Sequence, residues 1–197
     1  MVVMGDFWFY IKMGLEHVLD LSAYDHILFL AALTIPFSFK SWKKVLLLAS
    51  IFTATHCLSL ALSTYEILVV NVGFIEFLIP VTIFITAVFN LVYVKADVQH
   101  KSMFLHSIAT ACFGLIHGFG FSNYFKMLMA EEEDKITPLL GFAFGIELSQ
   151  LLIVISVLIV AWLMQNVFKV KPSIYIIIAS IAVLLITIPM LIATFPF

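Results

Sequence analysis

Six long runs that are almost free of charge dominate this sequence and restrict the environment in which it folds. The hydrocarbon core of a bilayer is about 30 Å thick, and a helix needs roughly 20 apolar residues to cross it. The runs cover residues 21–39, 44–64, 70–94, 103–128, 137–165 and 173–195. They predict an all-α, polytopic membrane helix bundle of about six transmembrane helices.

The composition agrees with lipid as the main solvent of the chain. Hydrophobic residues make up 63% of the sequence, charged residues only 11%, and the mean hydropathy is +1.17. We therefore expect one integral membrane domain over residues 1–197 and no soluble domain. Residues 1–20 mix aromatic and charged side chains, which is typical of an interfacial lead-in and equally of a lead-in turn of the first helix. They lack the basic stretch and cleavage site of a signal peptide, so we expect them to be retained.

The charges exclude one class of function and predict an orientation. All ten basic residues are lysines and the net charge is −2, so no basic surface is available to bind nucleic acid. Lysines cluster in the first, third and fifth loops between spans, which the positive-inside rule places in the cytoplasm. These are Lys40, Lys43, Lys44, Lys95, Lys101, Lys169 and Lys171. Both termini are then expected outside, for example outside a bacterial inner membrane. No motif specifies an oligomeric state or a partner subunit.

Metal-ligating side chains are predicted at similar depth in the outer half of several spans. Ionisable groups in lipid cost about 2.5 kcal/mol or more each, so their convergence around a cation is an economical explanation. The candidate metal ligands are His17, Asp25, His26, His56, Glu76, His117 and Glu147.

Further residues are expected to orient these ligands or to form a pathway for the ion towards the cytoplasm. Gln150 is one helical turn from Glu147, and Thr53 and Ser59 share a helix face with His56, which makes all three candidates to orient ligands. Asn90 and His106 lie in phase with the candidate ligands towards the cytoplasm and are candidates for an inner pathway.

Small residues near the candidate ligands predict close helix packing. Gly114, Gly118 and Gly120 flank His117, while Gly141 and Gly145 precede Glu147. Small residues four apart let helix backbones approach one another and bring facing side chains together. Helix dimerisation would also explain them.

Each of these patterns has a plainer interpretation. A purely structural polar cluster would satisfy the same groups, and His106 is also typical of a hydrogen bond between helices. Cys57 and Cys112 lie in apolar runs and are interpreted as small hydrophobic residues. The acidic run 131–134 is typical of a solvated loop, with cation capture at a pathway mouth as the second interpretation.

Short blocks of sequence resemble one known family of membrane proteins. They are GLEH at 14–17, YDHILF at 24–29, FTATHCLSL at 52–60, IE at 75–76, FGLIHGFGF at 113–121 and GIELSQ at 145–150. Together they look like the signatures of the HupE/UreJ family, and they span most of the chain except the last helix. The resemblance implies uptake of nickel or cobalt across the bacterial inner membrane without an ATPase of its own. Ala143 and Ser149 stand where family members often carry Asn and Gly.

The chemistry of the candidate ligands leaves two classes of function open. Imidazole and carboxylate donors suit divalent Ni, Co, Zn, Fe or Mn, and no nucleotide-binding G-x-x-x-x-G-K-[ST] motif occurs. The first hypothesis is a divalent-metal permease. The alternative is an intramembrane metalloenzyme, hydrolase-like, in which another carboxylate activates water. A metal sensor, chaperone or structural partner is a third reading.

Overall fold

The computed structural model describes residues 4–94, 103–130, 132 and 134–196, and this part of the chain is helical with short connections. A turn of 3-10 helix, Phe39–Ser41, precedes the helix that begins at Trp42, and a π-helical segment, Leu163–Val167, follows the helix that ends at Trp162. The helices are α1 (Met4–Leu19), α2 (Asp25–Thr34), α3 (Trp42–Thr64), α4 (Val72–Val92), α5 (Met103–Leu128), α6 (Ile136–Trp162) and α7 (Pro172–Ala193).

Four of these helices are long and apolar enough to cross a membrane. They are α3 with its preceding turn, α4, α6 with its extension, and α7. Helix α5 fills the whole of the expected run 103–128 but is not among these four. The chain is therefore an all-α membrane protein, and the expected count of six complete spans is not confirmed.

The first expected span, 21–39, is the one that the structure changes most. Only its ten residues Asp25–Thr34 form an α-helix. A tight turn precedes them, in which the backbone N–H of Ser22 donates to Oδ1 of Asp20 at 2.8 Å. Asp and Ser side chains compete with the helical hydrogen-bond pattern in this way, so the apolar run begins as a turn.

The lead-in at 1–20 also differs from the expected surface segment. Residues 4–19 form helix α1, which packs lengthwise and parallel against the N-terminal half of α6. A side chain at Gly14 would overlap the backbone of Phe142, and one at Gly145 would overlap the backbone of Ile11. Because both helices carry glycine at their contact, the backbones touch directly, and α1 belongs to the bundle.

Helix α3 makes its most extensive contact with α5, again through glycine. A Cβ atom on Gly114 would collide with Phe52, and one on Gly118 would collide with the carbonyl oxygen of His56. The two helices therefore run parallel and in close contact. This confirms the close packing predicted from the glycine spacing, and it brings His56 and His117 to the same level.

Helix α2 lies in the middle of the bundle and contacts α1, α3, α4, α6 and α7. Seven of its ten residues are buried. Near its C-terminal end, the side-chain amide of Asn90 donates to the carbonyl oxygen of Ala32 at 2.7 Å and joins α4 to α2. A short helix enclosed in this way holds its first residues at a fixed position inside the bundle.

Some residues used in the sequence analysis lie outside the part of the chain that the structure describes. They are Lys95 and Lys101, in the connection between α4 and α5, and Glu131 and Glu133, in the connection between α5 and α6. His100, in the connection between α4 and α5, also lies outside the described part.

Candidate metal centre

Four imidazole rings meet where α1, α2, α3 and α5 come together. The ring centroid of His26 lies 4.7 Å from that of His17, 5.2 Å from that of His117 and 5.4 Å from that of His56. The rings of His17 and His56 are 5.8 Å apart. His26 is thus the central member of the cluster.

The cluster is buried, and most of its ring nitrogens have no hydrogen-bond partner. His26, His56 and His117 are no more than 2% exposed. Five buried nitrogens lack a partner among the described residues: Nε2 of His17, Nε2 of His26, both nitrogens of His56 and Nδ1 of His117. Buried polar atoms are almost always paired in native proteins, so a convergent group of unpaired nitrogens calls for a ligand.

Two neighbouring side chains orient rings of the cluster. Nδ1 of His26 lies 3.2 Å from Oδ1 of Asp25, the residue at the first position of α2. A carboxylate that accepts from one nitrogen of an imidazole leaves the other nitrogen with a lone pair for a metal. For His26 that other nitrogen is Nε2, one of the five without a partner.

Thr82 on α4 orients His117 in the same manner. Its hydroxyl donates to the carbonyl oxygen of Ile79 at 2.7 Å, and the same oxygen lies 3.1 Å from Nε2 of His117. Since the hydroxyl proton is used on Ile79, the threonine oxygen accepts from Nε2–H. The lone pair of His117 is then on Nδ1, again a nitrogen without a partner.

Aromatic rings enclose the imidazoles. The His17 ring lies 3.9 Å from the ring of Phe121 and 5.6 Å from that of Phe142. The His117 ring lies 5.3 Å from that of Phe29 and 5.2 Å from that of Phe52. Such an apolar wall limits access of water and strengthens electrostatic interactions inside the cluster.

Two overlapping triads of side chains have the geometry to hold a metal ion. One consists of His17, His26 and His56, and the other of Asp25, His26 and His117. Within each triad the ligand atoms lie within 4.8 Å of one another. With metal–nitrogen distances of about 2 Å, small rotations of the side chains would close either triad around one ion.

The structure thus brings together five of the seven predicted metal ligands. Glu76 is not among them, because it lies on an exposed face of α4, whereas Ile75, Ile79 and Thr82 form the buried face. Glu147 belongs to neither triad and instead accepts hydrogen bonds from Ser50 at 2.6 Å and Thr53 at 2.7 Å. As metal ligands, Glu76 and Glu147 remain predictions without geometric support.

The three residues expected to support the ligands have different surroundings. Thr53 donates to Glu147, and Ser59 donates to the backbone carbonyl of His56 at 2.8 Å. Gln150 is fully buried, and neither its side-chain oxygen nor its nitrogen has a partner among the described residues. Sequence reasoning missed Thr82, although a polar residue within the apolar run 70–94 is a usable signal for it.

The candidates for an inner pathway are both on helices that carry or contact the cluster. The Asn90 amide links α4 to α2, as described above. His106 is partly buried near the N-terminal end of α5, eleven residues before His117. At a rise of about 1.5 Å per residue, roughly 16 Å of helix separate the two histidines.

At the end of the bundle that holds the α3–α4 and α5–α6 connections, charged groups pair at the surface. Lys126 binds Glu66 and holds the pKa of that carboxyl below its usual value. Lys126, Glu66 and Lys135 line one open cleft there, together with Thr64, Tyr65 and Ala130. Within the acidic run, Glu132 accepts a hydrogen bond from Tyr10, so this part of the run anchors α1.

Comparison with known proteins connects this geometry to a family. The family model described as HupE / UreJ protein matches residues 2–194. No curated protein and no solved structure matched significantly. The match covers the whole cluster, from His17 on α1 to His117 on α5, together with the helices that hold it. The chain therefore belongs to the HupE/UreJ family of membrane proteins.

Proposed function

We propose that this protein binds a divalent transition-metal ion of the nickel or cobalt type in the histidine cluster and carries it across the bacterial inner membrane. The observation that carries the proposal is the convergence of five unpaired, buried imidazole nitrogens beside the carboxylate of Asp25. Membership of the HupE/UreJ family supports a role related to nickel or cobalt transport.

The donor set favours some ions over others. Neutral imidazole suits Ni, Co, Zn and Fe in the divalent state, and one carboxylate also tolerates Mn. Neither cysteine belongs to either triad among the described residues, which disfavours Cu(I). We expect affinity to rise from Mn through Fe and Co to Ni, as it does for most nitrogen and oxygen sites.

The proposal includes an orientation of the protein in the membrane. With the lysine-rich loops in the cytoplasm, both termini and the loops that hold Glu66 and Glu132 face outward. The cluster then lies in the outer half of the membrane, beneath the α5–α6 connection. An ion arriving from outside would lose part of its water to Asp25 and the histidines, and Asn90 and His106 are proposed to serve its release inward.

The metalloenzyme alternative receives less support from the geometry. It needs a carboxylate besides the metal ligands to act on water as a general base. Of the two glutamates predicted for the site, Glu76 is exposed and Glu147 is bonded to Ser50 and Thr53. We therefore prefer transport.

Uptake by liposomes tests the proposal. Protein without a polyhistidine tag is reconstituted, and entry of Ni, Co, Zn, Mn and Fe is followed with a dye inside the vesicles. We expect saturable entry of Ni and Co that His26→Ala reduces at least tenfold, while His100→Ala, which removes a histidine of the connection between α4 and α5, has little effect. If the protein retains a stoichiometric ion but no ion enters the vesicles, the permease hypothesis is rejected.

A further inference from the structure

The two triads share a single side chain, and that side chain presents two different edges. His26 belongs to both triads, His17 and His56 only to the first, and Asp25 and His117 only to the second. Asp25 lies on the Nδ1 edge of the His26 ring, at 3.2 Å, whereas Nε2 on the other edge is buried and has no partner.

We propose that the cluster offers two positions to one ion, on opposite edges of the His26 ring, and that the ion passes from one to the other. In the first position the ion binds Nε2 of His26 together with His17 and His56. In the second it lies on the Nδ1 side with Asp25 and His117. This inference rests on the proposed function, because it describes how the same site handles its substrate.

Because of charge repulsion, only one of the two positions holds an ion at any time. The triads contain one carboxylate, Asp25, and otherwise imidazoles, so two dications at this separation in an apolar enclosure would repel each other strongly. The second position has the carboxylate as a direct ligand and is favoured by charge. In the first position Asp25 acts indirectly, by accepting a hydrogen bond from Nδ1–H of His26.

Movement between the positions exchanges the tautomer of His26 without changing its number of protons. As the ion leaves Nε2, a water molecule still bound to the ion gives that nitrogen a proton, and the hydroxide so formed takes the proton that Nδ1 loses as the ion arrives on the other side. Asp25 stays ionised throughout and, in contact with Nδ1, becomes a ligand of the ion in the second position. His26 is thus the residue across which the ion is handed on.

The surroundings give the two positions different neighbours. The first triad lies against Phe121 and Phe142, which contact His17. In the second, His117 is fixed by Thr82 and contacts Phe29 and Phe52. Phe52 borders both positions, because its ring lies 5.8 Å from that of His56 and 5.2 Å from that of His117. The two positions therefore differ in part of their walls and in their orienting groups.

X-ray absorption at the cobalt edge on the wild-type protein provides the first test, and it needs no variant. With one Co²⁺ bound per chain, we expect two or three imidazole ligands per ion, since the triads contain two and three histidines. A single species with four imidazoles would show one shared site and would overturn the two-position inference, while leaving metal binding and transport intact.

Two variants provide the second test. His17→Ala removes a ligand only from the first triad and His117→Ala only from the second, so each is expected to retain one Co²⁺ with a different visible spectrum. The wild-type spectrum should be a weighted sum of the two, and uptake should fall at least tenfold in both variants. His26→Ala should lose the bound ion.

The outcomes separate the two proposals. If His17→Ala or His117→Ala abolishes binding as completely as His26→Ala, the positions are not independent and the inference fails. If the wild-type protein itself binds no Co²⁺ or Ni²⁺, the proposed function fails as well.

Discussion

At the scale of single residues, hydrogen bonds from the histidine rings to a few side chains decide which ring nitrogens are available to bind a metal ion. Thr82 and Asp25 each contact one nitrogen of an imidazole and leave the opposite nitrogen without a partner. His56 differs, because both of its nitrogens are unpaired. We therefore expect His117 and His26 to be oriented before an ion arrives, and His56 to adjust to it.

Thr82→Val tests the role of the threonine. Losing the acceptor for Nε2–H should weaken cobalt or nickel binding by about tenfold, the lower end of the usual effect of removing such a partner. Titration calorimetry measures it. Thr86→Val is the matched control, since the Thr86 hydroxyl donates only to the backbone carbonyl of Thr82. Equal effects of the two changes would contradict the assigned role.

Glu76→Gln tests whether Glu76 binds the ion, as its predicted depth in the membrane suggests, or does not, as its exposed position on α4 indicates. Because Glu76 is exposed on α4, the change should alter metal affinity by less than about threefold, as surface substitutions usually do. His26→Ala, which removes the buried ligand candidate that both triads share, should lower affinity at least about tenfold. A large loss of affinity in Glu76→Gln would show that this glutamate reaches the ion after all.

At the scale of helices, direct backbone contact keeps the ligands at one level. The glycines of α5 let α3 approach along its parallel course, and Gly14 and Gly145 do the same for α1 and α6. The donors of the cluster come from four helices, so any change in the separation of these pairs moves ligands apart.

Gly118→Ala is expected to disturb the centre without touching a ligand. The added methyl would meet the carbonyl oxygen of His56, and such overpacking typically costs about 1–3 kcal/mol. We expect a lower Tm and weaker metal binding, measured by thermal unfolding in detergent and by cobalt titration. Gly73→Ala is the control, since the space around a Cβ there is nearly open. If Gly118→Ala binds cobalt with wild-type affinity, the close approach of α3 and α5 is not required for metal binding.

Asp134 lies two residues before α6 and gives the stability of the protein a pH dependence outside the membrane. Its carboxylate accepts from the backbone N–H of Ile136 and the hydroxyl of Thr137, and these bonds lower its pKa. A lowered pKa in the folded state means that the stabilisation is present above the ordinary pKa and is lost as pH falls through the lowered value. Asp134→Ala should lower Tm slightly at neutral pH, and the difference from wild type should vanish in acid. A difference that persists in acid would exclude this cause.

At the scale of the molecule, a metal ion would tie together helices that are far apart in the chain. Ligands on α1, α2, α3 and α5 converge, so binding to the folded state alone should stabilise the whole bundle. An ion at 100 times its Kd adds about 2.7 kcal/mol. We expect Tm to rise by several degrees with Ni²⁺ or Co²⁺ and to fall again with chelator. The rise should be absent in His26→Ala and unchanged in His100→Ala.

The sequence by itself determined the helical membrane class and the family, and it predicted the levels of the candidate ligands on their helices. Apolar runs indicate which segments enter lipid, and counting along them predicts a common level for His56 and His117, which agrees with the packing of α3 against α5. Glycine spacing also predicted the close contact of α5 with its neighbour.

Only the tertiary structure decided which residues at that depth meet. Depth follows from position along a helix, whereas contact depends on the direction a side chain points and on which helices are neighbours. Glu76 is exposed, Glu147 accepts hydrogen bonds from Ser50 and Thr53, and Thr82 on α4 contacts His117 on the neighbouring α5. His17 enters the cluster because α1 packs against α6, a contact between segments more than a hundred residues apart that no local pattern specifies.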